Sequence, residues 1–344
     1  MLIMKEFRKF KKAFFLAVVV LFNACGTQSS DEHIYSGEAL GTSYQLKFYG
    51  SGNFKIQKGL DSIFVVINKS MSTYQNDSDI SKINAGDTSI QVDENFRQVF
   101  NFSEKIYRES DGYFDPTVGN LVNAYGFGPN NQFGDLNQAE IDSMLQYVGF
   151  NKLKLTADNK ILKEQPEIYI DFNAIAKGYT VDVIALFLDK KGIRDYLIEV
   201  GGELVARGLN MSKNQPWIVA IDDPLQTEGN RSFQATLKLE NRAMATSGNY
   251  RKFRWDSITG QRFVHTINPI TGLPKKNNLL SASVLAGNCA LADGYATAFM
   301  ALGLERSKEM LKKLENVEVY LVYSENDQLK VYTSEGFKKV LITD

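Results

Sequence analysis

The sequence predicts an α+β domain over residues 34–344, preceded by a short leader and a tether. Three observations predict it. Helical and strand patterns are interspersed along the chain without the regular βαβ beat of a doubly wound parallel sheet. The helical stretches repeat their apolar residues at i, i+3 and i+4, whereas the strand stretches are short and rich in aromatic and β-branched residues. No internal repeat or low-complexity linker divides the chain after residue 34, so a single catalytic-sized domain is expected.

The leader comes first. Lys5, Arg8, Lys9, Lys11 and Lys12 form a basic segment ahead of the apolar run Ala13–Phe22. That run is far short of the about 20 residues a spanning helix needs, but it has the length of a secretory core. Asn23-Ala24-Cys25-Gly26 follows, and a small residue before a cysteine resembles the lipidation site of bacterial lipoproteins. The expectation is a signal peptide over residues 1–24, Cys25 acylated as the first mature residue, and a tether over residues 25–33. The protein would then be extracytoplasmic, anchored to a membrane and most naturally on the periplasmic side of the inner membrane.

Removing a leader with five basic groups and one acidic group changes the formal charge from −1 to −5. Such a balance lacks the concentrated basic patch of a nucleic-acid surface. Cysteine use agrees with export. With Cys25 acylated, Cys289 is the only thiol left, so an apolar core rather than a disulfide must hold the fold.

Within the domain, Thr42–Tyr49 reads as a strand. Leu60, Ile63, Phe64, Ile67 and Met71 mark one amphipathic helix, and Phe96, Val99, Phe100, Ile106 and Tyr107 a second. Asn137 followed by Glu140 forms a capping-box pattern before Ile141, Met144, Leu145 and Val148. Glu167–Ile170 is expected as a strand leading into the turn Asp171–Gly178, with a helix through Tyr179, Val183, Ile184, Phe187 and Leu188. Tyr196–Val200, Trp217–Ile221 and Phe233–Leu239 read as strands. A helix near Ala290–Leu302, a short helix and closing strands near Val317–Tyr323 and Lys330–Thr333 complete the chain.

Five segments are too polar or glycine-rich for packing alone. Met71-Ser72-Thr73-Tyr74 ends a helix with a tyrosine suited to stack on a flat ring. Gly112-Tyr113-Phe114-Asp115-Pro116-Thr117-Val118-Gly119 is a turn whose aspartate alone would be read as a cap. Asp171-Phe172-Asn173-Ala174-Ile175-Ala176-Lys177-Gly178 is a strand-to-helix turn, where backbone N–H groups and Lys177 suit a phosphate, yet it is neither a Walker A loop nor a GxGxxG motif. Ala245–Arg251 and His265–Gly272 flank an expected hairpin that brings Arg251 near His265, an imidazole suited to proton transfer or to phosphate. Asp293 and Thr297 stand at i and i+4 on one helix, and their hard oxygens suit Mg²⁺; no His/Cys cluster favours zinc.

In this order the segments resemble the ApbE-type FAD:protein FMN transferases. The resemblance rests on STY at Ser72–Tyr74, GYFDPTVG at Gly112–Gly119, DFNAIAKG at Asp171–Gly178 and VGGEL at Val200–Leu204. It continues through ATSGNYR at Ala245–Arg251, HTINPITG at His265–Gly272 and ADGYATA at Ala292–Ala298. It implies a two-lobed, T-fold-like mixed α/β domain with FAD between the lobes. Tyr74 would lie against a ring of FAD with Leu40 nearby, and Tyr113, Phe114 and Asp115 would line the cleft. Asp171, Lys177 and Ile267 would bind the dinucleotide, joined by Arg251 and His265. Mg²⁺ would take the carbonyl of Ala174, the carboxylate of Asp293 and the hydroxyl of Thr297. Departures are few: Leu40 replaces a commoner methionine, Asn173-Ala174 stands where a glycine pair is frequent, and Asn249 and Asn268 replace aspartates.

The implied reaction moves FMN from FAD to a threonine hydroxyl of an acceptor protein and releases AMP. His265 is the first choice of base, with Asp293 its competitor, and Lys177 and Mg²⁺ would offset charge. The acceptor implied is a membrane-linked electron-transfer flavoprotein with an Asp-x-x-Thr-type motif, of which this chain has no convincing copy. Two rival readings use the same residues: an Mg²⁺-dependent FAD pyrophosphatase, and a non-catalytic flavin-binding lipoprotein.

Overall fold

Tyr44, Leu46 and Phe48 alternate along β2 (Thr42–Gly50) and face a large apolar core, as a half-buried strand requires. The computed structural model describes residues 31–50, 55–129, 136–226, 230–248, 253–255, 262–264, 266–274 and 278–342. β1 (Asp31–Ala39) pairs with β2 from Asp31↔Gly50 to Ala39↔Thr42. Asp31–His33, expected to end the tether, are therefore the first residues of a strand, and the His33 Nε2 lies 3.1 Å from the Gly50 carbonyl oxygen.

Eight strands form the main sheet in the order β1-β2-β5-β6-β9-β12-β13-β14, and every neighbouring pair is antiparallel. The added strands are β5 (Asp195–Val200), β6 (Glu203–Arg207), β9 (Arg242–Gly248), β12 (Leu279–Ala286), β13 (Glu318–Glu325) and β14 (Gln328–Thr333). This topology fits the α+β expectation.

The sheet is covered on both faces. Val205, Ala243, Ala245, Ala282, Val284, Val319 and Leu321 face the main core, which also receives α1 (Ile56–Met71), α3 (Glu94–Glu109), α6 (Ala176–Lys190) and α7 (Cys289–Leu302). Their neighbours Leu204, Ala206, Met244, Leu285, Tyr320 and Val322 face a second core. There they meet the hairpin of β7 (Trp217–Asp222) and β8 (Phe233–Leu239), with Phe337 of the short α9 (Glu335–Lys338). Between α1 and α3 lies α2 (Asp79–Asn84), and α8 (Leu304–Leu311) follows α7. A satellite cluster of Leu121, Tyr125, Ile141 and Ile267 joins α4 (Gly119–Ala124) and α5 (Gln138–Leu145) to the 266–274 loop. The capping box predicted at Asn137 and Glu140 is present at the start of α5.

Two small antiparallel ladders lie outside the main sheet: β3 (Leu153–Leu155) with β4 (Ile161–Lys163), and β10 (Phe253–Trp255) with β11 (Arg262–Val264). The second is the hairpin expected between the two polar turns. Glu167–Ile170, expected as a strand, makes only a single parallel bridge, Val118↔Tyr169. Its backbone bonds to a side chain instead, because Asn84 donates to the Ile170 carbonyl and accepts from the Ile170 N–H, both at 2.8 Å.

Helix α7 positions the site. It is nearly all buried, and its alanines at 290, 292, 296, 298 and 301 let α6, α3 and the sheet approach closely. Asn288 caps it, and both carboxylate oxygens of Asp182 on α6 accept 2.8 Å bonds from the Cys289 and Ala290 N–H groups. These bonds answer amides that a buried helix start would otherwise leave unmet. Burial still pushes the Asp182 carboxyl up to about 6, the bonds opposing the shift. Among the described residues no helix is long and apolar enough to cross a membrane.

Candidate functional site

The floor of the site is the crossing of α6 and α7. Asp293 is 3% exposed, and its Oδ2 accepts a 3.0 Å bond from the Gly178 N–H. A Cβ on Gly178 would stand 2.3 Å from the Cys289 carbonyl oxygen and 2.7 Å from the Asp293 Cβ, so only glycine fits this crossing. One turn along α7, the Thr297 Oγ1 lies 3.2 Å from the Ser247 Oγ of β9. The expected pairing of Asp293 with Thr297 thus sits where two helices and a sheet strand converge.

Lys177 lies in the first turn of α6, and its Nζ is 2.7 Å from the Glu203 Oε1 at the start of β6. The reading of the α6 N-terminus as a phosphate cradle needs revision. The Ala176 N–H donates to the Phe172 carbonyl at 2.8 Å and the Gly178 N–H to Asp293, so both serve the protein's own oxygens. Ala174 sits in the turn before the helix, and the Ile175 side chain packs toward Gly294 beside Asp293.

Three predicted segments are tied together. The Asp171 N–H donates to the Pro116 carbonyl at 2.8 Å, and Asp171 Oδ1 accepts from the Asn173 N–H at 2.7 Å. Asn173 Nδ2 donates to the Thr73 Oγ1 at 3.3 Å. The Ser78 and Ser81 hydroxyls both donate to the Ser72 carbonyl, and Lys69 holds the Asp77 carbonyl, closing the loop that carries Tyr74. Tyr74 itself is 58% exposed. Partial burial, then the nearby Asp171 charge, raises its phenol pKa. An open ring on a clasped loop beside a carboxylate suits stacking on a planar ligand.

Not every expected cleft residue faces outward. Phe114 is in the main core, and Asp115 is buried. Asp115 Oδ1 accepts from the Thr117 N–H at 2.8 Å and the Thr117 hydroxyl at 2.6 Å, while Oδ2 accepts from the Phe150 N–H at 3.1 Å. Of these two residues, expected as cleft lining, Phe114 packs into the core and Asp115 ties the loop internally, its buried oxygens taken up by Thr117 and Phe150. Tyr113 is partly exposed, with the Arg306 guanidinium 5.0 Å over its ring.

Burial pushes the Asp115 carboxyl up to about 6, against the opposing pull of its hydrogen bonds. A raised folded-state pKa makes its contribution to stability full below the ordinary carboxylate range and lost as pH rises through about 6. The stability difference between the wild type and Asp115→Asn should therefore be larger at pH 5 than at pH 7.5, by about 1 kcal/mol. Urea unfolding at the two pH values measures it, and equal differences would contradict the assignment.

Leu40 and Gly41 form the two-residue β1–β2 turn with φ of +53° and +71°. Both angles are left-handed, as in hairpin turns that match strand twist, and leucine is a strained choice there. The turn borders that of Gly201 and Gly202, whose Gly201 N–H donates to the Ser43 carbonyl at 3.0 Å. Ile267 is buried in the satellite cluster, bridging Pro274. Asn268 Oδ1 caps the loop by accepting from the Ile270 and Thr271 N–H groups. His265 and Arg251 lie outside the described residues, as does Cys25.

Sequence reading named the VGGEL motif without a role for Glu203, and missed Asp182 and Tyr169. A glutamate opening the apolar run ELVAR was the available signal for Glu203. Tyr169 feels the charge of Asp171 and lies near Tyr74, and its only sequence signal was an aromatic residue before the Asp171 turn.

Among the described residues no group of three His, Cys, Asp or Glu side chains is placed to hold a metal. What the site does offer is a buried carboxylate, a hydroxyl one turn away and a neighbouring backbone turn. This hard-oxygen set fits Mg²⁺, which takes few protein ligands and completes its shell with water and phosphate, and does not fit softer ions.

An antiparallel α+β domain with one hard-oxygen pair, an adjacent lysine and an open tyrosine is the class so defined. Residues 40–321 match the ApbE family model. A FAD:protein FMN transferase of Haemophilus influenzae is 32% identical over 341 residues, covering 95% of this chain and 97% of that protein. One of Vibrio cholerae is 34% identical over 334 residues, with the same coverages of 95% and 97%. The structure of the flavin transferase ApbE from Vibrio cholerae superposes with a TM-score of 0.80 at 32% identity, covering 91% of this chain and 100% of that one. The apo flavinyl transferase ApbE of Pseudomonas stutzeri gives 0.81 at 26% identity, covering 91% and 98%. The chain belongs to the ApbE family.

Proposed function

We propose that this protein is a FAD:protein FMN transferase that uses Mg²⁺, takes a threonine hydroxyl as acceptor and releases AMP. The proposal is carried by Asp293, held by the Gly178 N–H, with Thr297 one turn further along α7 and Lys177 next to Gly178, in a fold shared with flavin transferases. In the reaction the acceptor oxygen bonds to the FMN-side phosphorus, the bond from that phosphorus to the bridging oxygen breaks, and AMP leaves with that oxygen. The hydroxyl proton passes to a base, for which His265 is the first choice.

Bound Mg²⁺ would neutralise charge developing on the pyrophosphate. Asp293, Thr297 and the Ala174 carbonyl would hold it. Lys177 brings an ammonium to the same region, and Tyr74 offers a ring face to FAD. Because a threonine hydroxyl is a weak nucleophile, orientation of the two substrates supplies much of the acceleration. The leader and Cys25 support a lipid-anchored, extracytoplasmic enzyme whose partner is a membrane electron-transfer flavoprotein.

The proposal is tested by incubating the mature domain with FAD, Mg²⁺ and an acceptor fragment, then quantifying AMP, free FMN and acceptor-bound flavin. AMP matched by bound flavin is expected. AMP matched by free FMN, across several acceptor fragments, would make the protein a pyrophosphatase instead.

A further inference from the structure

The VGGEL turn has no part in the chemistry above, yet it meets Lys177. Glu203 is 2% exposed, its Oε1 is 2.7 Å from the Lys177 Nζ, and its Oε2 is buried without a hydrogen-bond partner. The backbone below is fixed by the β5–β6 ladder, in which Val200 pairs with Glu203. Gly201, at φ +61°, is bare where the lysine stem crosses it. A Cβ there would stand 3.3 Å from the Lys177 Cδ and 2.8 Å from the Thr42 Cγ2.

We propose that Glu203 is a positioning residue that holds the Lys177 ammonium at the FAD pyrophosphate, with Gly201 as the slot for the lysine stem. The inference rests on reading Lys177 as a FAD contact. Lysine is a point charge on a flexible four-carbon stem, so a fixed charge needs a fixed partner. Glu203 occupies one of the three ammonium donors and anchors it from the protein side.

The energetics argue against a purely structural role. The Lys177 side chain is 31% exposed, and a partly exposed ion pair returns little stability. A buried carboxylate with one oxygen unmet costs more than that return. A pair that weakens the fold and stands beside the Asp293 site is retained for where it puts the charge.

The test compares the wild type with Lys177→Met, Glu203→Gln and the double variant, measuring kcat and KM for FAD together with the melting temperature. Glu203→Gln is expected to raise KM for FAD about tenfold, the usual scale for a residue that orients a ligand group. Its melting temperature should stay at or above that of the wild type. The double variant should be no worse than Lys177→Met alone, because Glu203 acts through the lysine. The double variant leaves neither a buried carboxylate nor an unpaired ammonium, so it reads the coupling of the two residues apart from any change in stability.

A melting temperature that falls in step with activity, or losses in the double variant equal to the product of the single losses, would overturn the assignment of Glu203. Lys177→Met with unchanged KM and kcat would remove the parent reading of Lys177 itself. These failures are distinguishable.

Discussion

Replacing Asp293 with asparagine is expected to lower flavin transfer by about a thousandfold or more while leaving the fold intact. The side chain is nearly isosteric, and its amide oxygen can still accept the 3.0 Å bond from the Gly178 N–H. What is lost is the negative charge, in a site whose other proposed ligands, the Thr297 hydroxyl and the Ala174 carbonyl, are neutral. Removing one preorganised electrostatic contact from a phosphoryl-type transition state costs about two to three powers of ten, and losing a metal costs at least as much. Thr297→Val, which removes one neutral ligand, should cost less, about 10- to 100-fold. Rates measured with saturating FAD, alongside melting curves, check both. A cooperatively folded Asp293→Asn protein with near wild-type turnover would contradict the account.

The second large effect is structural. Gly178→Ala should destabilise the protein by about 3 kcal/mol, the upper range for overpacking a closely filled contact. The added methyl would meet the Cys289 carbonyl oxygen at 2.3 Å and the Asp293 Cβ at 2.7 Å, both on a helix gripped by Asp182 at its first turn. Backbone cannot yield as a flexible side chain would, so α6 and α7 must separate. Separation also breaks the bond that orients Asp293, so activity should fall further than the loss of folded protein explains. Denaturant unfolding gives the first quantity, and activity per folded molecule the second. An unchanged unfolding midpoint would mean that the two helices are not in contact at this point.

Elements with one wet face and a full period were the plainest in the sequence. α1, α3 and β2 each alternate between core and solvent, and their periodicity is plain. Besides β1 and the short β3 and β4, the strands missed were β6, β9 and β12 in the middle of the sheet, which are buried on both faces. In Arg242-Ala243-Met244-Ala245-Thr246 the alternation is between two cores, so it leaves no polar period to read. Glu167–Ile170 failed for the opposite reason. Its strand-like residues are satisfied by Asn84, a tertiary contact 86 positions away that no local pattern announces.

The site was legible as a set of segments rather than as geometry. Asp293 and Thr297 could be paired from helical spacing alone, and they are adjacent on α7. Asp115, which the turn alone reads as a cap and the family resemblance placed in the cleft, spends its oxygens on Thr117 and Phe150 as a capping residue does. Glu203 went the other way. Its proximity to Lys177 depends on the β5–β6 turn meeting the start of α6, which only the tertiary structure brings about.

The most direct test is intact-protein mass spectrometry of a threonine-bearing acceptor after incubation with the protein, FAD and Mg²⁺. An acceptor gain equal to one FMN unit, mapped to the threonine and abolished by EDTA, is expected. Bound FAD that stays chemically unchanged, with every acceptor at its original mass, would contradict the transferase reading and leave a flavin-binding protein.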